Sequence, residues 1–276
     1  MSSTPQATHR LPRDTDAGDG SRLVALDIDG TLLDQELRLA PAVRSAVRDV
    51  VARAHVVLAT GRCIVSTRLV ADRLGLARGY AVCSNGAVVA RLGTFAPVAV
   101  RTFDPAPAVH LLLQHMPDAL VAVEELGVGY RVSAPFPPGD LSGLQRVEPL
   151  DALVEHPVPR VVVNRPGWSA QSLLQVVDSA GLRGVTYTVG STAWLDLAPQ
   201  GVTKAAALEE VRVRLGVPPE GTLAIGDGRN DIEMLRWAHR GLAMAEAPPD
   251  VRAAADEVIG SVGDDAVATV LAHRFR

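Results

Sequence analysis

The chain has 276 residues, room for one large domain or two of ~150, and its 47% hydrophobic and 21% charged residues exclude wholesale disorder. A net charge of −4 offers no general basic field for nucleic acid. Two cysteines, Cys63 and Cys83, are too few for a disulfide framework, and no run reaches the ~18 apolar residues of a membrane span.

Residues 1–20 are polar, rich in Thr, Asp, Gly and Pro, and read as a disordered, solvated tail rather than a signal peptide. With reduced cysteines, the expectation is a soluble cytoplasmic protein. The first apolar run, 23–26, shows no alternation, which suits a parallel strand buried on both faces, and it ends at Asp27. A helix is expected over 41–54, with Pro41 in its first turn and Val43, Val47, Val50, Val51 and Ala54 on one face. A strand over 55–59 runs into Thr60-Gly61-Arg62. A helix over about 64–74 stops at Gly75, and a strand over 80–83 runs into Ser84-Asn85-Gly86.

From 91 to 188 the pattern changes. Pro and Gly are frequent, alternating strands are expected at 119–123, 128–132, 160–164 and 185–189, and helices at 107–115 and 169–180. This segment reads as a separate α+β insert. Residues 21–90 and 189–276 then form one α/β domain with a Rossmann-like open parallel sheet. In its second half Thr203 can cap a helix ending at Leu215, with Gly216 beyond it. A short strand over 223–225 ends in Gly226-Asp227. Asn230 can cap a helix over 231–238, Glu233 completing a capping box, and two more strands are expected near 241–244 and 257–259.

Four strands of this domain therefore end in polar clusters: Asp27-Ile28-Asp29-Gly30-Thr31, Thr60-Gly61-Arg62, Ser84-Asn85-Gly86, and Gly226 to Asp231. Ligands of open α/β sheets bind outside the carboxyl ends of the strands, so the clusters are expected to share one site. Asp27, Asp29, Asp227 and Asp231 would repel each other unless a hard cation such as Mg²⁺ joined them. Thr60, Ser84, Asn230 and the backbone near Gly30, Gly61 and Gly86 are the groups that hold phosphate oxygens. Lys204, the single lysine beside 26 arginines, can add a point charge. Metal, phosphate cradle and spare carboxylates imply phosphoryl transfer, with one carboxylate as nucleophile and a second as acid and base. A Ca²⁺ loop is excluded, because position twelve is Arg38 counted from Asp27 and Ala238 counted from Asp227.

Asp27-Ile28-Asp29-Gly30-Thr31-Leu32 resembles the opening motif of haloacid-dehalogenase-superfamily phosphatases. Thr60 matches that family's second motif, Lys204 its third, and Gly226 to Asp231 its fourth. Ser84-Asn85-Gly86-Ala87 followed by a roughly 100-residue insert is similar to the Cof-like subgroup with a large α/β cap, type IIB. The resemblance implies Asp27 as nucleophile and Mg²⁺ ligand, and Asp29 as general acid/base that also binds metal through its carbonyl. It implies Thr60, Gly61, Lys204 and Asn230 as phosphate binders, and Asp227 and Asp231 as metal residues. One departure is Ala245-Glu246 after Ala243-Met244, where relatives often carry Gly-Asn, which puts an extra acid near the site.

Read singly, these residues are ordinary. Thr60 is a turn residue, Lys204 a solvated helix residue, Ser84 and Asn85 turn formers, and Arg62 a solvated charge. Cys63 and Cys83 suit small core positions, and Trp168, Trp194 and Trp237 suit packing. Arg160 and Asn164, on an insert strand, are candidate specificity contacts. The expectation is a Mg²⁺-dependent phosphatase of a small phosphorylated metabolite, monomeric or homodimeric, with a mobile cap and no nucleic-acid or membrane partner. A phosphotransferase or phosphomutase on the same core, or a catalytically silent binding module, are the rivals.

Overall fold

The computed structural model describes residues 22–190 and 193–275, so the tail assigned to residues 1–20 lies outside them. The first half of the chain forms β1 (Leu23–Leu26), α1 (Pro41–Val50), β2 (His55–Ala59), α2 (Ile64–Leu74), β3 (Tyr80–Cys83), β4 (Val88–Arg91) and β5 (Pro97–Val100). Next come α3 (Ala106–His115), β6 (Leu120–Glu125), β7 (Gly129–Val132), β8 (Leu144–Val147), α4 (Leu150–Val154), β9 (Val161–Asn164), α5 (Ala170–Ala180), β10 (Val185–Val189) and β11 (Trp194–Pro199). The chain returns through α6 (Lys204–Leu215), β12 (Thr222–Gly226), α7 (Ile232–Trp237), β13 (Arg240–Ala243), α8 (Pro249–Arg252), β14 (Glu257–Val258) and α9 (Ala266–Arg274). No helix among the described residues is long and apolar enough to cross a membrane.

Two sheets result. The first has the order β14-β13-β12-β1-β2-β3-β4-β5, and the second β10-β11-β9-β6-β7-β8. The five pairings from β14 to β3 are parallel, and β4 and β5 add antiparallel strands at one edge. Both faces of the parallel part are covered, which is why its strands read as unbroken apolar runs. Along β1, Val24 and Leu26 join the core under α1, α2 and α9, while Leu23 and Ala25 join the core under α6 and α7. Each fully buried Leu or Val contributes ~1.5–3 kcal/mol of transfer free energy. The second sheet is antiparallel except for β7 beside β8. One of its faces packs on α3, α4 and α5 through Val109, Leu112, Leu153 and Leu173.

The architecture is the expected α/β one: a parallel core sheet with an inserted α+β unit. Its sheets change over at different places from those expected. Strand β5 lies beyond residue 90 yet belongs to the first sheet, and β11 lies beyond residue 188 yet belongs to the second. The reason is local: β5 is a short edge strand opening on Pro97, and β11 carries the apolar alternation of an antiparallel strand. The first helix is shorter than expected. It ends at Val50, where a turn closed by the Arg53 and Ala54 amides on the Val50 carbonyl leads into β2 and leaves Val51 exposed. The helix from Thr203 has its expected cap: the Thr203 hydroxyl accepts the Ala206 amide, and Gly216 closes the far end at φ 71°.

Candidate active site

Strands β12, β1, β2 and β3 are neighbours and parallel, so their carboxyl ends lie on one edge. Asp227, Asp27, Thr60 and Ser84 follow them directly. The centre is Lys204, the first residue of α6 and 1% exposed. Its Nζ donates to Asp27 Oδ1 at 2.6 Å and to Asp231 Oδ1 at 2.7 Å. Asp231, fully buried, also accepts the Asp227 amide at 3.1 Å and the Gly228 amide at 2.9 Å through Oδ2. Asp231 thus folds the loop after β12 around itself. This overturns the expected Asn230 cap: residues 229–231 form a 3-10 turn, α7 begins at Ile232, and the loop amides take the Asp231 carboxylate. Asn230 instead donates from Nδ2 to Asn85 Oδ1 at 2.9 Å, tying the ends of β12 and β3 together.

Two glycines of the motifs have steric reasons. Gly30 has φ 78°, and a Cβ there would fall 2.3 Å from Asp227 Oδ2. Gly86 has φ 102°, and a Cβ there would fall 2.2 Å from the Thr203 carbonyl oxygen. The first lets the Asp27 loop lie against Asp227, and the second lets the chain returning from the insert deliver Lys204. Thr31 adds its hydroxyl, donating to Asp227 Oδ1 at 3.0 Å.

The electrostatics follow from burial. Burial first, then Asp231 and Asp227, push the Asp27 carboxyl well above its usual range, against the pull of Lys204. Burial and then Asp231 push Asp227 up to about 6. Burial works against the Lys204 ammonium, but Asp231 and Asp27 outweigh it and hold its pKa above the ordinary lysine value. Asp27, Asp227 and Asp231 each offer a carboxylate oxygen within 4.8 Å of the others. Lys204 offsets one of the three charges, and the two that remain match a divalent cation. All three donors are hard oxygens, so the residues fit a cation of the Mg²⁺ kind.

The Asp29 side chain is not in that cluster. Its carboxylate is half-exposed and paired with Arg62, which donates from Nε at 2.8 Å and again from its second amino nitrogen. Arg62 therefore lines the cavity paired with Asp29, rather than standing as a solvated or helix-supporting charge. Thr60 is buried and accepts the Arg62 amide at 3.1 Å. Ser84 is turned away from this floor, donating to the buried Glu124 of β6. Glu246 lies elsewhere: it is exposed and accepts the Val262 amide at 3.2 Å, so the extra acid stands outside the carboxylate cluster.

A cavity of about 430 Å³ joins floor and insert. Its floor is Asp27, Asp29, Thr60, Gly61, Arg62, Asp227 and Asn230. Its wall from the insert includes Tyr130, Asp140, Ser142, Arg160, Trp194 and Asp196. Arg160, a candidate contact, lines it. Asn164 supports it instead, donating to Asp140 at 3.2 Å. Trp194, expected as packing, lines the cavity while also meeting Phe136 edge-on at 6.2 Å. Tyr130, Asp140 and Asp196 went unread, and only the alternation of β11, with Leu195 and Leu197 inward and Asp196 outward, signalled one of them.

A family model described as haloacid dehalogenase-like hydrolase matches residues 24–118 and 161–271. A phosphoglycolate phosphatase of Natronomonas pharaonis is 30% identical over 241 residues, covering 85% of this chain and 89% of that one. A 5-amino-6-(5-phospho-D-ribitylamino)uracil phosphatase of Bacillus subtilis is 26% identical, covering 91% of this chain and 95% of that one. A solved haloacid dehalogenase-like hydrolase from Bacteroides thetaiotaomicron has the same fold, with a TM-score of 0.79 at 22% identity over 92% of this chain and 99% of that one. Four strand-end motifs on one sheet edge and a family match over most of the chain agree: this protein belongs to the haloacid dehalogenase-like hydrolases.

Proposed function

We propose that the chain is a Mg²⁺-dependent phosphatase of small phosphate monoesters, sugar or cofactor phosphates, acting through a phosphoaspartate on Asp27. The observation that carries this is Lys204 bridging Asp27 and Asp231, with Asp27 and Asp227 at the floor of a cavity walled by the insert. Relatives named for phosphoglycolate and for a phosphoribitylaminouracil share a phosphate ester and differ in the leaving group. That division suits a common floor and a variable wall.

Asp27 is the nucleophile, its Oδ1 held by Lys204. Lys204, Thr60, Asn230 and the Gly61 backbone hold the transferring phosphate. Asp29 protonates the leaving oxygen and then deprotonates water, which requires its carboxylate to leave Arg62. Asp27, Asp227, Asp231 and the Asp29 main-chain carbonyl would hold Mg²⁺, which would neutralise phosphate charge. The insert, from α3 through β11, acts as a cap that excludes water and selects the ester.

Phosphate release from a panel of monoesters, with Mg²⁺ and with a chelator, tests the reading. Metal-dependent release is expected, and transfer of phosphate to an added hydroxyl acceptor instead of water would replace hydrolase by phosphotransferase. Asp29→Asn should cost alkyl phosphates at least about tenfold more than an activated aryl phosphate, because only the former need a proton on the leaving oxygen. Equal losses would remove Asp29 from the acid role.

Metal-free stability should depend on pH through Asp227. Its folded pKa lies above the unfolded one, so this contribution is full below about 4 and is lost as pH rises through about 6. Asp227→Asn should flatten that part of the thermal-unfolding profile in chelator. For the unaltered protein, Mg²⁺ should raise Tm more at about pH 7.5 than at about pH 5.5, where protons compete for the site. An equal rise at both would argue against a carboxylate-held metal.

A further inference from the structure

The wall of the cavity carries one guanidinium, Arg160, and two carboxylates, Asp140 and Asp196. A buried arginine facing a phosphate site is ordinarily read as a docking point for a second anionic group of the substrate. Here each nitrogen of the guanidinium already has one partner, and its charge is met by Asp196. Arg160 Nε donates to Asp196 Oδ1 at 2.7 Å, Nη2 pairs with the same carboxylate, and Nη1 donates to Tyr130 Oη at 2.9 Å. The pair is almost completely enclosed, with the Arg160 side chain 7% exposed and that of Asp196 15% exposed. Glu124, buried behind it, adds a further acid facing Arg160.

Asp140 lies on the other side of this wall. Its side chain accepts from the neutral amide of Asn164, and among the described residues it has no ion pair. The wall therefore presents a neutralised ion pair, an uncompensated carboxylate, the Ser142 hydroxyl and the Trp194 ring to whatever the phosphate carries. In a partly enclosed cavity a carboxylate or second phosphate there would meet the Asp140 charge and find that of Arg160 already offset by Asp196. Hydroxyl and amino groups would gain acceptors.

We infer that the wall is a charge filter: Asp196, by occupying Arg160, and Asp140, by its own charge, exclude esters whose leaving group bears a second anion and admit uncharged hydroxylated or amine-bearing ones. This rests on the phosphatase reading, and it separates the chain from the activity named for its phosphoglycolate phosphatase relative. Asp140 and Asp196 are specificity determinants in it, with no part in the chemical step.

The test is a matched pair. Phosphoglycolate and 2-hydroxyethyl phosphate differ in carrying a carboxylate or a hydroxymethyl group. Each is titrated as a competitor of p-nitrophenyl phosphate turnover by the full chain with Mg²⁺. Phosphoglycolate should compete at least about tenfold more weakly. In Asp196→Asn, which releases Arg160, the gap should narrow at least about fivefold. In Asp140→Asn, at an exposed position, it should narrow at least about threefold. Thermal unfolding reports whether each variant is folded, and should Asp196→Asn fail to fold, Asp140→Asn decides. Equal or tighter competition by phosphoglycolate, or a gap unchanged in Asp140→Asn, overturns the filter while leaving the phosphatase reading intact. Absence of p-nitrophenyl phosphate turnover with Mg²⁺ overturns both.

Discussion

Asp27→Asn is expected to lower phosphate release by about 10⁴-fold or more while leaving the fold intact. The two halves of that expectation have separate causes. The activity half follows from position: Asp27 follows β1 at the centre of the parallel sheet, and its carboxylate both accepts from Lys204 and lines the cavity floor. An amide there keeps the shape and loses the nucleophile. The stability half follows from charge. Burial, then Asp231 and Asp227, oppose ionisation of Asp27, with Lys204 as the compensation. Neutralising the residue removes a charge that the site resists, and Lys204 keeps Asp231. Thermal unfolding in chelator should therefore show a Tm unchanged or raised by a few degrees. The response to Mg²⁺ should shrink, because one of three carboxylates is gone. Turnover near that of the unaltered protein would move the nucleophile elsewhere. A collapse of stability would mean that the carboxylate is structural.

Lys204→Met should be the opposite case, damaging both properties. Its ammonium is the shared partner of Asp27 and Asp231, and both carboxylates are buried. Removing one member of a buried ion network leaves charges without compensation, at a cost of about 3–5 kcal/mol. For a protein of this size that corresponds to a fall in Tm of about 10 °C. Three features should distinguish this from generic damage. The loss should be smaller at about pH 5, where Asp27 and Asp227 take up protons more readily. It should be partly restored by Mg²⁺, which supplies the missing positive charge. Adding Asp27→Asn to Lys204→Met should make the protein more stable than Lys204→Met alone, a departure from additivity expected of groups in contact. Simple additivity would show that the lysine acts by filling space.

The core and its floor were legible because one physical rule wrote both. A strand buried on two faces is an unbroken apolar run, and where it leaves the sheet the chain can turn polar. Leu23 to Leu26 before Asp27, and Leu223 to Ile225 before Asp227, announce strand and site together. The fine structure of the floor was less legible. Asn230 and Asp231 are both good helix-capping types, and only the need of two loop amides for an acceptor decides between them. The cavity wall was almost silent. Tyr130, Asp140 and Asp196 come from two strands and a loop far apart in the chain, and no spacing relates them. Strand β8 has every residue exposed, so it carries no apolar period at all.

Lys204 is the one lysine in 276 residues, and it is 1% exposed. It is the one side-chain amine of this sequence, and its burial shields it from acylating reagents while the fold is closed. Acylation of Lys204 can occur only when the ion network around it opens, so its rate, read by mass on the peptide that holds it, is a clock for unfolding centred on the site itself. Stabilising the site with Mg²⁺ should slow that clock, and weakening the network should quicken it. Sparse usage of one residue type has left this enzyme with a built-in footprint probe.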